Sequence, residues 1–384
     1  MEKEEAFLKP EIKKEAAPEF QNEKVEVGKF VLEPVDREAN KFHFLQNLTE
    51  WHHSCLGADN KIWEKELGGF SGEEKGVIGS FKKVLEKYPQ LDEKGLVSIF
   101  ETSASLEEKE KRLKEVVSPK DREIIEKSLS IIEKPFSQIW GKNEEKLLKA
   151  RQEFIGKLGE FKTSGKREQL EKDLSTFFGS PQKPDKLKTF FLMRESGTGG
   201  TASRGMDAIT LAGSGKMPEL SVFYHELTHK LWETNHDYDK ICDSALESII
   251  GKPTASEFKK TGLSKKDLHK ITREGVIGSF LPHGCLAEKY FPKSMPAPTE
   301  KIKKIIEDLL INKKDVELPT GEKMISGQIL KDKEKTNMFF NTLLAVNLAP
   351  LSERYIKEGR GADKDYFQEA IKTISSSINR TKIF

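Results

Sequence analysis

The chain has 384 residues, 33% of them charged and 36% hydrophobic, which leaves room for two domains or for one domain with a large accessory region. Its 65 Lys and Arg against 63 Asp and Glu leave a formal charge of +2, with no basic stripe, so nothing argues for nucleic acid or an anionic membrane as partner. No run approaches the roughly 20 apolar residues that span a bilayer, no apolar signal-peptide core opens the chain, and Cys55, Cys242 and Cys285 are too few and too scattered for a disulfide framework or a thiolate zinc site. A cytoplasmic protein is expected.

In chain order, residues 1–36 are rich in Glu, Lys and Pro and read as a disordered or loosely docked arm. Residues 37–180 read as a helical N-terminal domain. Phe44, Leu45, Leu48 and Trp51 follow helical spacing, and Ile62, Trp63 and Leu67 continue it to the break at Gly68–Gly72. Val77, Ile78, Phe81, Val84, Leu85 and Tyr88 make an apolar stripe ending at Pro89. Ser118-Pro119 is a cap followed by proline at the first helical position, and further helices are expected over 143–163 and 167–178.

The texture changes at Ser180-Pro181-Gln182-Lys183-Pro184. TFFLMRES is an apolar run of strand length, GTGGTASRG reads as a flexible loop, and DAITLAG is a second strand candidate, so the pair suggests a hairpin with a long loop. Helical patterns resume near 220–233, 238–250, 264–281 and 299–313. A small hairpin is expected around Pro319-Thr320-Gly321, and two helices near 335–346 and 364–378 follow.

The segment SVFYHELTHKLW, residues 221–232, carries the chemistry. On a helix His225 and His229 stand one turn apart on one face, so both imidazoles can reach one ion at about 2.0–2.1 Å. Glu226 is rotated by about 100° from His225 and can reach a water at the ion from the side, where a general base must sit. The apolar Val222, Phe223, Leu227 and Leu231 make this a buried helix, in which polar groups need partners.

Two strands, a connector and a helix with His-Glu-x-x-His resemble the zincin clan of metallopeptidases over about residues 186–292. The resemblance implies an α+β, predominantly helical fold: a zincin-like catalytic domain over 181–384 with a small sheet, preceded by the helical domain. It also implies Zn2+ held by His225 and His229, Glu226 as the base that activates water, and a peptide or protein substrate. Ile209–Gly213 would then be the edge strand that pairs with extended substrate.

A catalytic zinc needs a third protein ligand. The metzincin continuation is absent, since Trp232 and Asn235 stand where glycine and histidine are required. A glutamate from a later helix, as in the gluzincin branch, is expected instead. Glu233 would make a nearly linear row with the histidines. Glu247, 18 residues after His229, has gluzincin-like spacing but points away from the buried stripe of its helix. Glu274, 45 residues after His229, lies on an apolar face beside Gly275 and is the preferred third ligand, with Glu247 next and Glu288 behind them.

The aspartate that many gluzincins carry four residues beyond the ligand glutamate is replaced by Gly251 or Gly278, which leaves open what orients the histidines. His236, Tyr238, His283 and Tyr290 are oxyanion candidates without assignment. His52, His53 and Cys55 read as packing residues. Two alternatives to peptide hydrolysis stay open: a non-catalytic zincin-like scaffold, and a zinc hydrolase of a small non-peptide amide.

Overall fold

The structure is a computed structural model that describes residues 22–382, apart from 53–54, 91, 93, 104, 180–185, 203–204, 214, 236, 251–262, 296–298 and 318–322. It is mostly helical with one small mixed sheet, the coarse α+β class expected. Strands β1 (Val25–Val27) and β2 (Phe30–Leu32) come first. Helices follow: α1 (Arg37–Thr49), α2 (Gly57–Leu67), α3 (Gly72–Lys87), α4 (Leu96–Thr102), α5 (Leu106–Val116), α6 (Pro119–Ile131), α7 (Glu133–Thr163) and α8 (Lys166–Phe178). Then come β3 (Leu187–Met193), β4 (Thr198–Ala202), β5 (Ala208–Gly213), α9 (Leu220–Thr234), α10 (Asp237–Ile250), α11 (Lys265–Gly278), α12 (Cys285–Tyr290) and α13 (Thr299–Leu310). A two-stranded ribbon, β6 (Val316–Glu317) with β7 (Lys323–Met324), precedes α14 (Ser326–Ile329), α15 (Lys333–Lys357) and α16 (Lys364–Thr381).

Local chemistry accounts for several boundaries. Ser71 caps α3 in a reciprocal box with Glu74, and Ser118 accepts from the Asp121 amide with Pro119 in the first turn of α6. The ribbon strands flank the turn expected around Pro319–Gly321, which itself lies outside the described residues.

The main sheet runs β1-β2-β3-β5-β4. β2 and β3 are parallel, β3 and β5 are parallel, and β4 is antiparallel to β5 at the edge. Three expectations are corrected by this order. The arm over 1–36 is a sheet element in part, because residues 25–32 form β1 and β2; residues 1–21 lie outside the described residues. β3 and β5 are parallel neighbours rather than a hairpin, because the chain first lays down β4 at the edge and then returns as β5 between β3 and β4. Ile209–Gly213 is therefore an inner strand, and the glycine-rich stretch read as a loop supplies the edge. β4 pairs with β5 along its whole length, register Gly200 to Leu211, although Gly199 and Gly200 at its centre are poor strand formers.

Both faces of the sheet are covered. α1 and α4 pack on one face, where Ala39 meets Leu192 and Ala212, and α9 and α7 pack on the other. One buried apolar cluster runs through the helices of 37–180 and the elements after them. Phe223 of α9 is fully buried, edge-on to Phe30 at 4.9 Å and to Phe154 of α7 at 5.5 Å. Phe223→Ala is expected to cost about 3–5 kcal/mol, measured as a fall in the denaturant midpoint.

Candidate metal centre

α9 is held by its apolar side. Leu220, Phe223, Tyr224, Leu227 and Leu231 are buried, and the helix packs on β4, β5, α7 and α8. One turn apart on another face, His225 and His229 look toward α11. Their rings stand nearly perpendicular, at 86°, with the two Nε2 atoms 3.3 Å apart. Oε2 of Glu274, on α11, lies 3.5 Å from His229 Nε2. Donor atoms of all three residues fall within 4.8 Å of one another, and this is the group of metal-competent side chains found among the described residues.

The spacing suits a tetrahedral ion, because two ligands about 2.05 Å from such an ion lie about 3.3 Å apart. The donor chemistry suits it as well. His225 Nδ1 lies 2.6 Å from the carbonyl oxygen of Leu281. A carbonyl only accepts, so Nδ1 carries the proton and Nε2, which faces His229, is the nitrogen left to bind a metal. Burial pushes the pKa of His229 well below its usual value, with His225, Arg273 and Lys230 adding to the effect. Two imidazole lone pairs and a carboxylate are a zinc donor set. The Leu281 carbonyl, just past the end of α11, holds the orientation of the His225 ring. A backbone group carries no sequence signature, so sequence alone could not identify it.

The glycine at position 278 has its own reason. A Cβ there would come 3.0 Å from the Cβ of Ala345 on α15, and one at Gly275 would come 3.2 Å from Leu348. α11 is therefore pressed against α15 along its glycine face, which leaves no room for an aspartate, while Glu274 faces α9. Arg273 Nη2 holds the other carboxylate oxygen, Oε1, at 3.3 Å.

Glu226 is buried between α9 and the edge strand. The Ala202 amide donates to its Oε2 at 2.9 Å, and Oε1 makes no hydrogen bond among the described residues. Burial raises its pKa above the usual carboxylate value; Glu274 works in the same direction, and His225 and the Ala202 amide oppose it. That direction suits a group that must take a proton and return it.

The other candidates lie elsewhere. Glu247 is two-thirds exposed and pairs with Lys265 at 2.6 Å. Glu233 pairs with Lys230 at 2.7 Å, and the Glu288 carboxylate accepts from the Thr299 amide. Tyr290 donates to Asp173 at 2.7 Å and Tyr238 to the Phe177 carbonyl at 3.0 Å, so both hydroxyls are engaged in the fold. Among the described residues the buried Nδ1 of His283 has no partner, and burial, aided by His225, lowers its pKa. His236 and His53 lie outside the described residues.

Asp239 of α10 ties the two helices of the centre together. It accepts from Trp232 Nε1 of α9 at 2.9 Å and from His269 Nε2 of α11 at 3.0 Å, while Asp243 takes the other His269 nitrogen at 2.9 Å. Carboxylates only accept, so His269 is a doubly protonated imidazolium. The bond to Asp239 leads, Cys242 and Asp243 add to it, burial opposes, and the ring is pushed up to about 10. This folded value exceeds the ordinary ~6.5. The stabilisation is therefore whole below pH ~6.5 and is lost as pH rises through about 10. Both carboxylates are nearly half exposed, so the clamp contributes at most about 1 kcal/mol. His269→Gln is expected to lower stability at pH 6 by that amount and to converge on wild type in urea titrations near pH 10.5.

Comparison of the chain with protein-family models, with curated proteins and with solved structures finds no match.

Proposed function

We propose that this chain is a zinc-dependent metallopeptidase with a zincin-like catalytic core. The observation that carries the reading is the meeting of Glu274 Oε2 with the Nε2 atoms of His225 and His229 beside a buried Glu226. The edge position of β4, antiparallel to its neighbour and packed on α9, supports a peptide substrate, because an open strand edge binds an extended chain by backbone hydrogen bonds.

When bound, zinc supplies Lewis acidity, polarising a carbonyl and acidifying water. His225, His229 and Glu274 hold it. Glu226 takes a proton from the attacking water at Oε1, the oxygen that the Ala202 amide leaves free. The water oxygen bonds to the peptide carbonyl carbon, the C–N bond breaks, and Glu226 returns the proton to the leaving amine. β4 presents its backbone to the substrate, and the Leu281 carbonyl keeps His225 in the tautomer that binds metal.

The test is to measure zinc content and peptide hydrolysis together. Wild type is expected to take up about one zinc per chain, to cleave unstructured peptides, to lose cleavage on chelation and to regain it when zinc is restored. A protein that cannot take up zinc would overturn the reading. Hydrolysis of small amides but not of peptides would replace its substrate.

A further inference from the structure

Gly200 lies where the edge strand presses on the base. A Cβ at this position would come 2.8 Å from Glu226 Cγ and 3.3 Å from its Oε1. Carbon atoms in contact prefer about 3.5–4.0 Å, so any side chain at 200 displaces either the strand or the carboxylate. Two residues on, the Ala202 amide donates to Glu226 Oε2. Alternation along β4 puts position 199 on the opposite face, where a Cβ would meet the end of the Arg194 guanidinium instead.

We propose that Gly200 is a positioning residue for Glu226, and that an extended peptide docked on β4 sets the base as well as the scissile bond. The proposal rests on the metallopeptidase reading. Among the described residues β4 has one strand neighbour, β5, and two of its five residues are glycine, so its backbone is weakly restrained on the other side. A substrate strand on its open side supplies a second row of backbone hydrogen bonds. That row fixes the Gly200 Cα and the Ala202 amide, and through them the Glu226 carboxylate. Pairing energy from residues remote from the cleaved bond then appears in kcat as well as in KM.

The experiment uses the zinc-loaded full chain and peptides of increasing length around one scissile pair. Wild-type kcat is expected to rise about tenfold or more as the peptide becomes long enough to pair with β4. Gly200→Ala is expected to lower kcat by about 10²-fold, the usual consequence of misplacing a catalytic group by an ångström. Zinc content and KM should hold, and the dependence on length should flatten. Gly199→Ala should lose at least tenfold less. Ala202→Pro, which removes the amide at an edge position that tolerates proline, should match Gly200→Ala and covers the case in which that variant fails to fold. Amide exchange gives a readout without turnover: Ala202 should be protected in wild type and in Glu226→Gln, and unprotected in Glu226→Ala and Gly200→Ala.

Wild-type kcat in Gly200→Ala, or a wild-type kcat independent of peptide length, would overturn the proposal. A zinc-loaded wild type that cleaves no peptide would overturn the peptidase reading instead, and Ala202 exchange would still decide the Gly200 contact by itself.

Discussion

Glu226→Gln is expected to lower kcat by about 10²–10⁴-fold with zinc content unchanged. The substitution keeps the size of the side chain and an oxygen that can accept from the Ala202 amide, so the edge strand stays in place. It removes the capacity to take a proton from water. Burial already works against the charged form of Glu226, so a neutral amide relieves a desolvation cost and stability should be equal or higher. A fold defect would lower stability and activity together; this variant should separate them. Zinc measured by mass spectrometry, thermal unfolding and peptide hydrolysis on one preparation give the three readings. Wild-type turnover in Glu226→Gln would remove the base from the mechanism, whatever the metal content.

The parts of the centre that sequence makes visible are those whose geometry is local. His225, Glu226 and His229 share one helix, so their relation follows from 3.6 residues per turn. Glu274 is legible only through its apolar helix face and the neighbouring Gly275, since sequence spacing alone favours Glu247. The structure gives both features a cause, since the glycine face of α11 lies against Leu344, Ala345 and Leu348 of α15, and Glu247 pairs with Lys265 in solvent.

The misread features depend on distant backbone. β1 and β2 are three residues each, too short for an alternating pattern, and β2 finds its partner β3 only across more than 150 residues of chain. Thr198–Ala202 is interrupted by two glycines, which are poor strand formers, yet pairs with β5 along its whole length. Its glycines read as flexibility when taken locally and as close approach to Glu226 once the helix is beside them. The Leu281 carbonyl and the Asp239 clamp were invisible for a related reason. One is a backbone atom, and the other joins three helices through residues that are individually ordinary.

Glu274→Ala is expected to weaken zinc binding by more than about 100-fold, beyond the 10–100-fold typical of losing an outer-shell partner. The remaining donors are two imidazoles 3.3 Å apart, which cannot alone close a site that needs three protein ligands. Alanine also strips Arg273 of the carboxylate that meets its Nη2, so some loss of stability comes with it. Glu274→Gln separates the two effects: its side-chain carbonyl can still accept from Arg273, but it is a poorer, uncharged donor to metal. Zinc affinity should therefore fall in both variants, while stability without metal falls mainly in the alanine one. Metal at 100 times its dissociation constant stabilises a folded protein by about 2.7 kcal/mol, and this zinc-dependent rise in unfolding temperature should be present in wild type and lost in both variants. Glu247→Ala, at an exposed carboxylate paired with Lys265, should bind zinc as wild type does. The opposite pattern, with zinc held by Glu274→Ala and lost from Glu247→Ala, would move the third ligand to α10 and require that helix to turn its solvent face toward α9.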